Sequence, residues 1–212
     1  MYDLSSVIAD TTVSPGTNIL ISGPAMTGKR QLALEILADG TVRNEGTIVV
    51  TTKDSAKRVL SEYGELVGDL ENATIGVVDC VTKQQGVSSV PDDDRVKYAS
   101  SPVDMTGIGI SLSEFLQEFY TERRLRRNRI MLYSLSTLLM YSNLQTVFRF
   151  LHVFTGRIQS ADALGIYVID SSAHDEQTMN TLKQLFDGII ELDEQGDLDV
   201  RLPDATRAPA ER

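Results

Sequence analysis

Short apolar runs rich in Val and Ile alternate along the chain with longer stretches whose apolar residues recur at helical spacing, which predicts a mostly parallel α/β sheet. Residues 18–22, 47–51, 74–80, 129–134, 165–170 and 188–192 read as strands. They are continuously apolar rather than alternating, as strands covered on both faces should be. Residues 112–124 place Leu112, Phe115, Leu116, Phe119 and Tyr120 on one helical face, with Ser111 and Glu114 spaced for a capping box. Asn143 is placed to cap a second helix carrying the stripe Leu144, Val147, Phe148, Leu151, Phe154 and Ile158, with Arg149 and Arg157 on its wet side. Shorter helices are expected over 29–38, 55–66 and 176–186. The polar stretch 83–106, with the acidic triplet Asp92, Asp93 and Asp94, reads as a long surface insertion. Residues 189–194 and 198–202 flank Gln195 and Gly196 as a β-hairpin, and 203–212 read as a loose tail.

Length and charge narrow the classes. At 212 residues and 42% hydrophobic, the chain suits one core, taken here as a single domain over 1–202. Thirty acidic against twenty basic residues give a net charge of −10, which argues against nucleic acid as a general partner. Low lysine beside abundant acid suits concentrated salt, although an ordinary acidic protein shows the same balance. The single cysteine, Cys80, excludes an intramolecular disulfide and points to a reducing, cytoplasmic compartment. The first residues carry no basic flank, and no apolar run approaches the roughly 18 residues of a membrane span, so neither secretion nor membrane insertion is expected.

The most informative residues follow the first strand: Gly23, Pro24, Ala25, Met26, Thr27, Gly28, Lys29 and Arg30. A strand, then G-x-x-x-x-G-K, then an amphipathic segment is the phosphate-binding loop arrangement. Backbone N–H groups and a helix N-terminus surround the phosphates there, and the lysine reaches the outer ones. The next position departs from the pattern, because a hydroxyl that would hold Mg²⁺ is replaced by Arg30, a cation with no lone pair for a metal.

Residues 14–29 through this loop, 46–55, 129–139 and 186–192 stand in the order and spacing of a KaiC-like member of the RecA superfamily, which the chain resembles over about residues 14–202. Residues 100–109 also resemble a segment of uncharacterised haloarchaeal relatives of that superfamily. The resemblance implies a three-layer P-loop fold with a mostly parallel central sheet and a C-terminal β-hairpin, ATP or another nucleotide as ligand, and head-to-tail self-association or protein partners. It also exposes departures. Tyr133 stands where the family places the aspartate that holds the metal through water. Lys53 and Asp54 stand where it places an acidic pair, leaving Asp54 as the one candidate general base. An intact cradle beside a damaged catalytic set implies a nucleotide-binding regulatory protein with impaired hydrolysis and no proper seat for Mg²⁺. The alternatives are a pseudo-ATPase interaction module that binds no nucleotide, with Arg30 paired internally, or a slow ATPase whose metal site is rebuilt on Asp170 or Asp79.

Other groups read as structural. Arg123, Arg124, Arg126, Arg127 and Arg129 crowd a helix C-terminus, where cations complement the dipole and are commonly solvated. His152, His174 and the lone cysteine form no zinc pattern, so no metal ligands are assigned. Ser171 and Ser172 lack the turn and the base of a nucleophile.

Overall fold

The computed structural model describes residues 1–86 and 93–203. Asp92 and nearly all of the expected tail lie outside the described residues. An eight-stranded sheet runs through the centre. Its strands, in chain order, are β3 (Asn18–Gly23), β4 (Gly46–Thr51), β5 (Ile75–Asp79), β6 (Val96–Tyr98), β7 (Asn128–Tyr133), β8 (Leu164–Asp170), β9 (Gly188–Leu192) and β10 (Leu198–Arg201). The spatial order is β10-β9-β3-β8-β7-β4-β5-β6, parallel except for the antiparallel β9–β10 hairpin. A two-stranded antiparallel ribbon of β1 (Tyr2–Asp3) and β2 (Thr12–Val13) forms a separate sheet, and its Tyr2 and Val13 are buried in the core.

Successive strand residues point to opposite faces, and each face feeds its own core. Ile19, Ile21, Val49, Met131, Ile166 and Val168 meet α1 (Lys29–Val42) and α2 (Ala56–Val67). Leu20, Ile48, Val50, Leu132, Tyr167 and Ile169 meet the opposite layer. That layer is built from α3 (Met105–Thr121), α4 (Leu135–Tyr141), α5 (Leu144–Ser160) and α6 (Glu176–Lys183). The six expected strands, the hairpin and the three-layer arrangement are present. No helix among the described residues is long and apolar enough to cross a membrane.

Four expectations are corrected. The stretch 83–106 is not wholly an insertion, since β6 pairs parallel with β5 at the sheet edge. The helix expected at 112 begins at Met105, capped by Asp104, whose carboxylate accepts from Gly107 N–H at 2.9 Å. Ser111 is therefore buried inside α3 and caps nothing. Arg157 is not on a wet face, because it reaches across to donate to the Gly109 carbonyl of α3. Arg129 leaves the supposed surface cluster altogether and is fully buried. Asn143 caps α5 as expected, accepting from Thr146 N–H at 2.9 Å.

Candidate functional site

The parallel strands end together along one edge. Gly23 pairs with Asp170, Tyr133 with Val168, and Thr51 with Tyr133, so the segments after β3, β4, β7 and β8 converge. Ligand crevices of open α/β sheets lie at such carboxyl ends, where neighbouring strands send their chains in different directions. Here a cavity of about 1000 Å³ opens, lined by residues 25–31 and by side chains that include Lys53, Tyr133, Ser136 and Asp170.

The loop depends on glycine at both ends, for different reasons. A Cβ on Gly23 would stand 2.6 Å from the Leu192 carbonyl, so the loop can run against β9 only without one. Gly28 has room around it but adopts φ 88°, a left-handed conformation that disfavours a side chain. Thr27 Oγ1 donates to the Pro24 carbonyl at 2.9 Å and tightens the turn. Helix α1 starts at Lys29, so its first N–H groups have no intrahelical acceptor and face the cavity end of the helix. Met26, at the tip, is fully exposed with φ 61°. Gly23 and Pro24 underlie the loop, whereas Ala25, Met26, Thr27, Gly28, Lys29 and Arg30 line the cavity.

Lys29 is only 8% exposed, and its ammonium donates to the Pro24 carbonyl. Burial holds that ammonium below its ordinary 10.5; Asp170 opposes the shift and Lys53 adds to it. Arg30 turns away from the loop. Its Nε lies 3.2 Å from Asp54 Oδ2, and Nη1 pairs with Glu62. The guanidinium carbon stands 5.3 Å from the centre of the Tyr133 ring, and neither Nε nor Nη2, both buried, makes a hydrogen bond. Arg58 closes the network, 3.1 Å from Asp54 Oδ1 and 2.8 Å from Glu62 Oε1. Burial would raise the Glu62 carboxyl, but hydrogen bonds from Arg58 and Arg30 hold it below the ordinary value. Asp54 thus has a guanidinium against each oxygen and does not line the cavity. As a general base it would first have to break an ion pair.

The two other carboxylates considered at strand ends serve as caps. Asp79 accepts from Ala56, Val81 and Thr82 N–H at 2.7–2.8 Å and from Thr82 Oγ1 at 2.6 Å. Asp170 accepts from Ser172 N–H at 3.1 Å and from Ser172 Oγ at 2.7 Å. Among the described residues no group of three His, Cys, Asp or Glu side chains is placed to hold a metal ion.

One pairing was invisible along the chain. Ser136, at the start of α4, accepts from Asp170 N–H and lies 2.9 Å from His174 Nε2. Burial holds the His174 imidazole below its ordinary 6.5, against the opposing charges of Asp170 and Asp175. The unfolded chain therefore binds more protons below that pH, so this contribution to stability is complete above pH 6.5 and is lost on acidification. The denaturation midpoint should fall as pH drops below 6.5, and His174→Gln should flatten that part of the profile. An unchanged slope in the variant would assign it to other groups.

The profile of the family described as a family of unknown function, DUF7504, matches residues 16–192. The chain belongs to that family. None of the curated proteins matches it in sequence. Among solved structures, it is similar to a KaiC-like protein of the hyperthermophilic archaeon Pyrococcus horikoshii OT3. The two share 14% identity and a TM-score of 0.64, over 96% of this chain and 86% of that one. An uncharacterised Pyrococcus horikoshii protein, solved with an unknown peptide, is similar at 16% identity and a TM-score of 0.70, over 94% and 89% of the two chains. This member of DUF7504 therefore has a KaiC-like, RecA-type fold.

Proposed function

We propose that this DUF7504 protein binds a nucleoside di- or triphosphate through residues 23–29 and acts as a regulator, without efficient hydrolysis. The observation that carries the reading is electrostatic. In a chain of net charge −10, the described residues lining the cavity include Lys29, Lys53 and the acid-paired Arg30 but a single carboxylate, Asp170. Cations gathered against the trend of the whole molecule favour an anion, and the α1 N-terminus adds its own positive end. The loop also leaves its backbone open to the cavity at Gly28, where nothing stands within 4 Å of an added Cβ.

The donor set does not fit Mg²⁺. The position after the lysine is a guanidinium, Tyr133 is a phenol, and Asp54 is held by Arg30 and Arg58. Among the described lining residues the one carboxylate, Asp170, is engaged as a cap of Ser172, so the lining offers little for the proton transfer that hydrolysis requires. The bound state would then be a signal rather than a step in turnover, passed to a protein partner or a second copy. Met26, Met140 and Tyr141, exposed around the cavity, would be the side chains that register it.

A second reading has its own observation. The Lys29 ammonium donates to a carbonyl of its own loop, which favours a pseudo-ATPase module with no nucleotide. Titrating ATP and ADP into the protein with Mg²⁺ or with EDTA, alongside a phosphate-release assay, separates the two. Saturable binding without steady release is expected. A folded protein that binds neither nucleotide would leave the second reading, and sustained multiple-turnover release would end the non-catalytic one.

A further inference from the structure

We propose that Lys53, standing on the Tyr133 ring, is a phosphate-binding residue that supplies the charge otherwise given by a divalent ion. The ligand would then be a metal-free nucleoside polyphosphate, and Mg²⁺ would compete with the protein for it. This rests on the nucleotide reading above and specifies its ligand.

The placement of Lys53 follows a chain of contacts. Asp54 and Glu62 pin the Arg30 guanidinium, and that guanidinium lies over the Tyr133 ring. The same ring holds the Lys53 ammonium 5.8 Å from its centre, within the range of a cation–π contact. Lys53 is exposed into the cavity, and among the described residues no carboxylate lies within ion-pair distance of it. Arg30 is neutralised by its acidic partners, but Lys53 is not.

Lys29 and Lys53 therefore face one cavity as two ammonium groups, and Lys53 is one of the charges that make the Lys29 proton easier to lose. Two cations that repel each other across a cavity are both relieved by an anion placed between them. A magnesium ion in the same space would meet Lys53 and Lys29, and among the described lining residues Asp170, already accepting from Ser172, is the single carboxylate beside neutral hydroxyl and amide oxygens. Chelation by Mg²⁺ also lowers the negative charge on the polyphosphate, so the metal complex is the poorer ligand for a site whose counter-charges are fixed side chains.

ATP titrated into the full chain should bind several-fold more tightly in EDTA than in excess Mg²⁺. Lys53→Met should weaken binding in EDTA by about tenfold or more, the worth of one charged hydrogen bond, and Lys53→Arg should retain it. Lys53→Glu should reverse the metal preference. Lys53 is exposed, so thermal unfolding of each variant should match wild type and exclude a folding defect. Wild-type affinity in Lys53→Met, or tighter wild-type binding with Mg²⁺, would overturn the proposal while leaving the nucleotide reading intact. A folded wild type that binds no ATP under either condition would overturn both.

Discussion

Arg129→Ala is expected to destabilise the protein by about 3–5 kcal/mol, the cost of removing one partner from a buried ion pair. Arg129 is 0% exposed on β7. Its Nε meets Glu45 Oε2 at 2.6 Å, and Nη1 meets the Ile36 carbonyl at 2.6 Å and Asp39 Oδ2 at 3.1 Å. Nη2 meets the Asp3 carbonyl at 2.9 Å. One guanidinium thus ties α1, the turn before β4 and the β1–β2 ribbon to the sheet. Its loss leaves buried Glu45 with only the exposed Arg127, 3.9 Å away, as a counter-charge. Pairing Arg129→Met with Glu45→Gln should recover part of the loss, since the uncompensated charge and not the missing cation dominates. A denaturation series would check it. A loss below about 1 kcal/mol for Arg129→Ala would show that water or the exposed Arg127, 3.9 Å from Glu45, substitutes.

The same residue shows where sequence reading stops. Five arginines within seven positions look like a solvated cluster, and four of them are exposed. The fifth lies inside β7 on the face that meets α1, held there by Glu45 and Asp39 far along the chain. The central strands were readable because burial on both faces forces continuous apolar runs. Strand β6 was not, because Val96, Lys97 and Tyr98 are half-buried at an edge and Lys97 pairs with Glu118. The start of α3 was hidden by Gly107 and Gly109, which ordinarily weaken helices. At both, the absent Cβ is what leaves room: for the Asp104 carboxylate that caps the helix, and for the Arg157 guanidinium arriving from α5. These glycines are packing residues of a helix that reads locally as a loop.

The candidate site divides in the same way. Its loop is a contiguous run whose glycines and lysine announce their geometry. Arg30, Asp54, Glu62 and Tyr133 form one network only because α1 and α2 pack together beside the ends of β4 and β7. Sequence spacing showed that each position had changed, but not that the changed residues satisfy one another. Lys53 read as a missing acid, and its role as a cation on an aromatic face appears only once Tyr133 is beneath it. The Ser136–His174 pair joins residues 38 positions apart and gave no local signal.

Lys29→Met should separate the two uses of the loop by moving stability and binding in opposite directions. The ammonium is nearly buried, and the oxygen it bonds is a carbonyl of its own loop, so the fold carries a desolvated charge that it does not need. Methionine keeps the length of the stem without that charge, and a gain of about 0.5–2 kcal/mol is expected, in the range found when a functional strain is relieved. Affinity for a nucleoside polyphosphate should fall by about 10- to 100-fold, as one charge-assisted contact is lost. The alkaline limb supplies an independent check. Because the Lys29 ammonium is held below 10.5 in the folded state, the unfolded chain binds more protons between that lowered value and 10.5, so this group makes wild-type stability rise with pH there. The difference between wild type and Lys29→Met should therefore shrink across that window. A variant that is less stable at neutral pH and binds nucleotide as well as wild type would make Lys29 a structural clasp of the loop and remove it from the binding site.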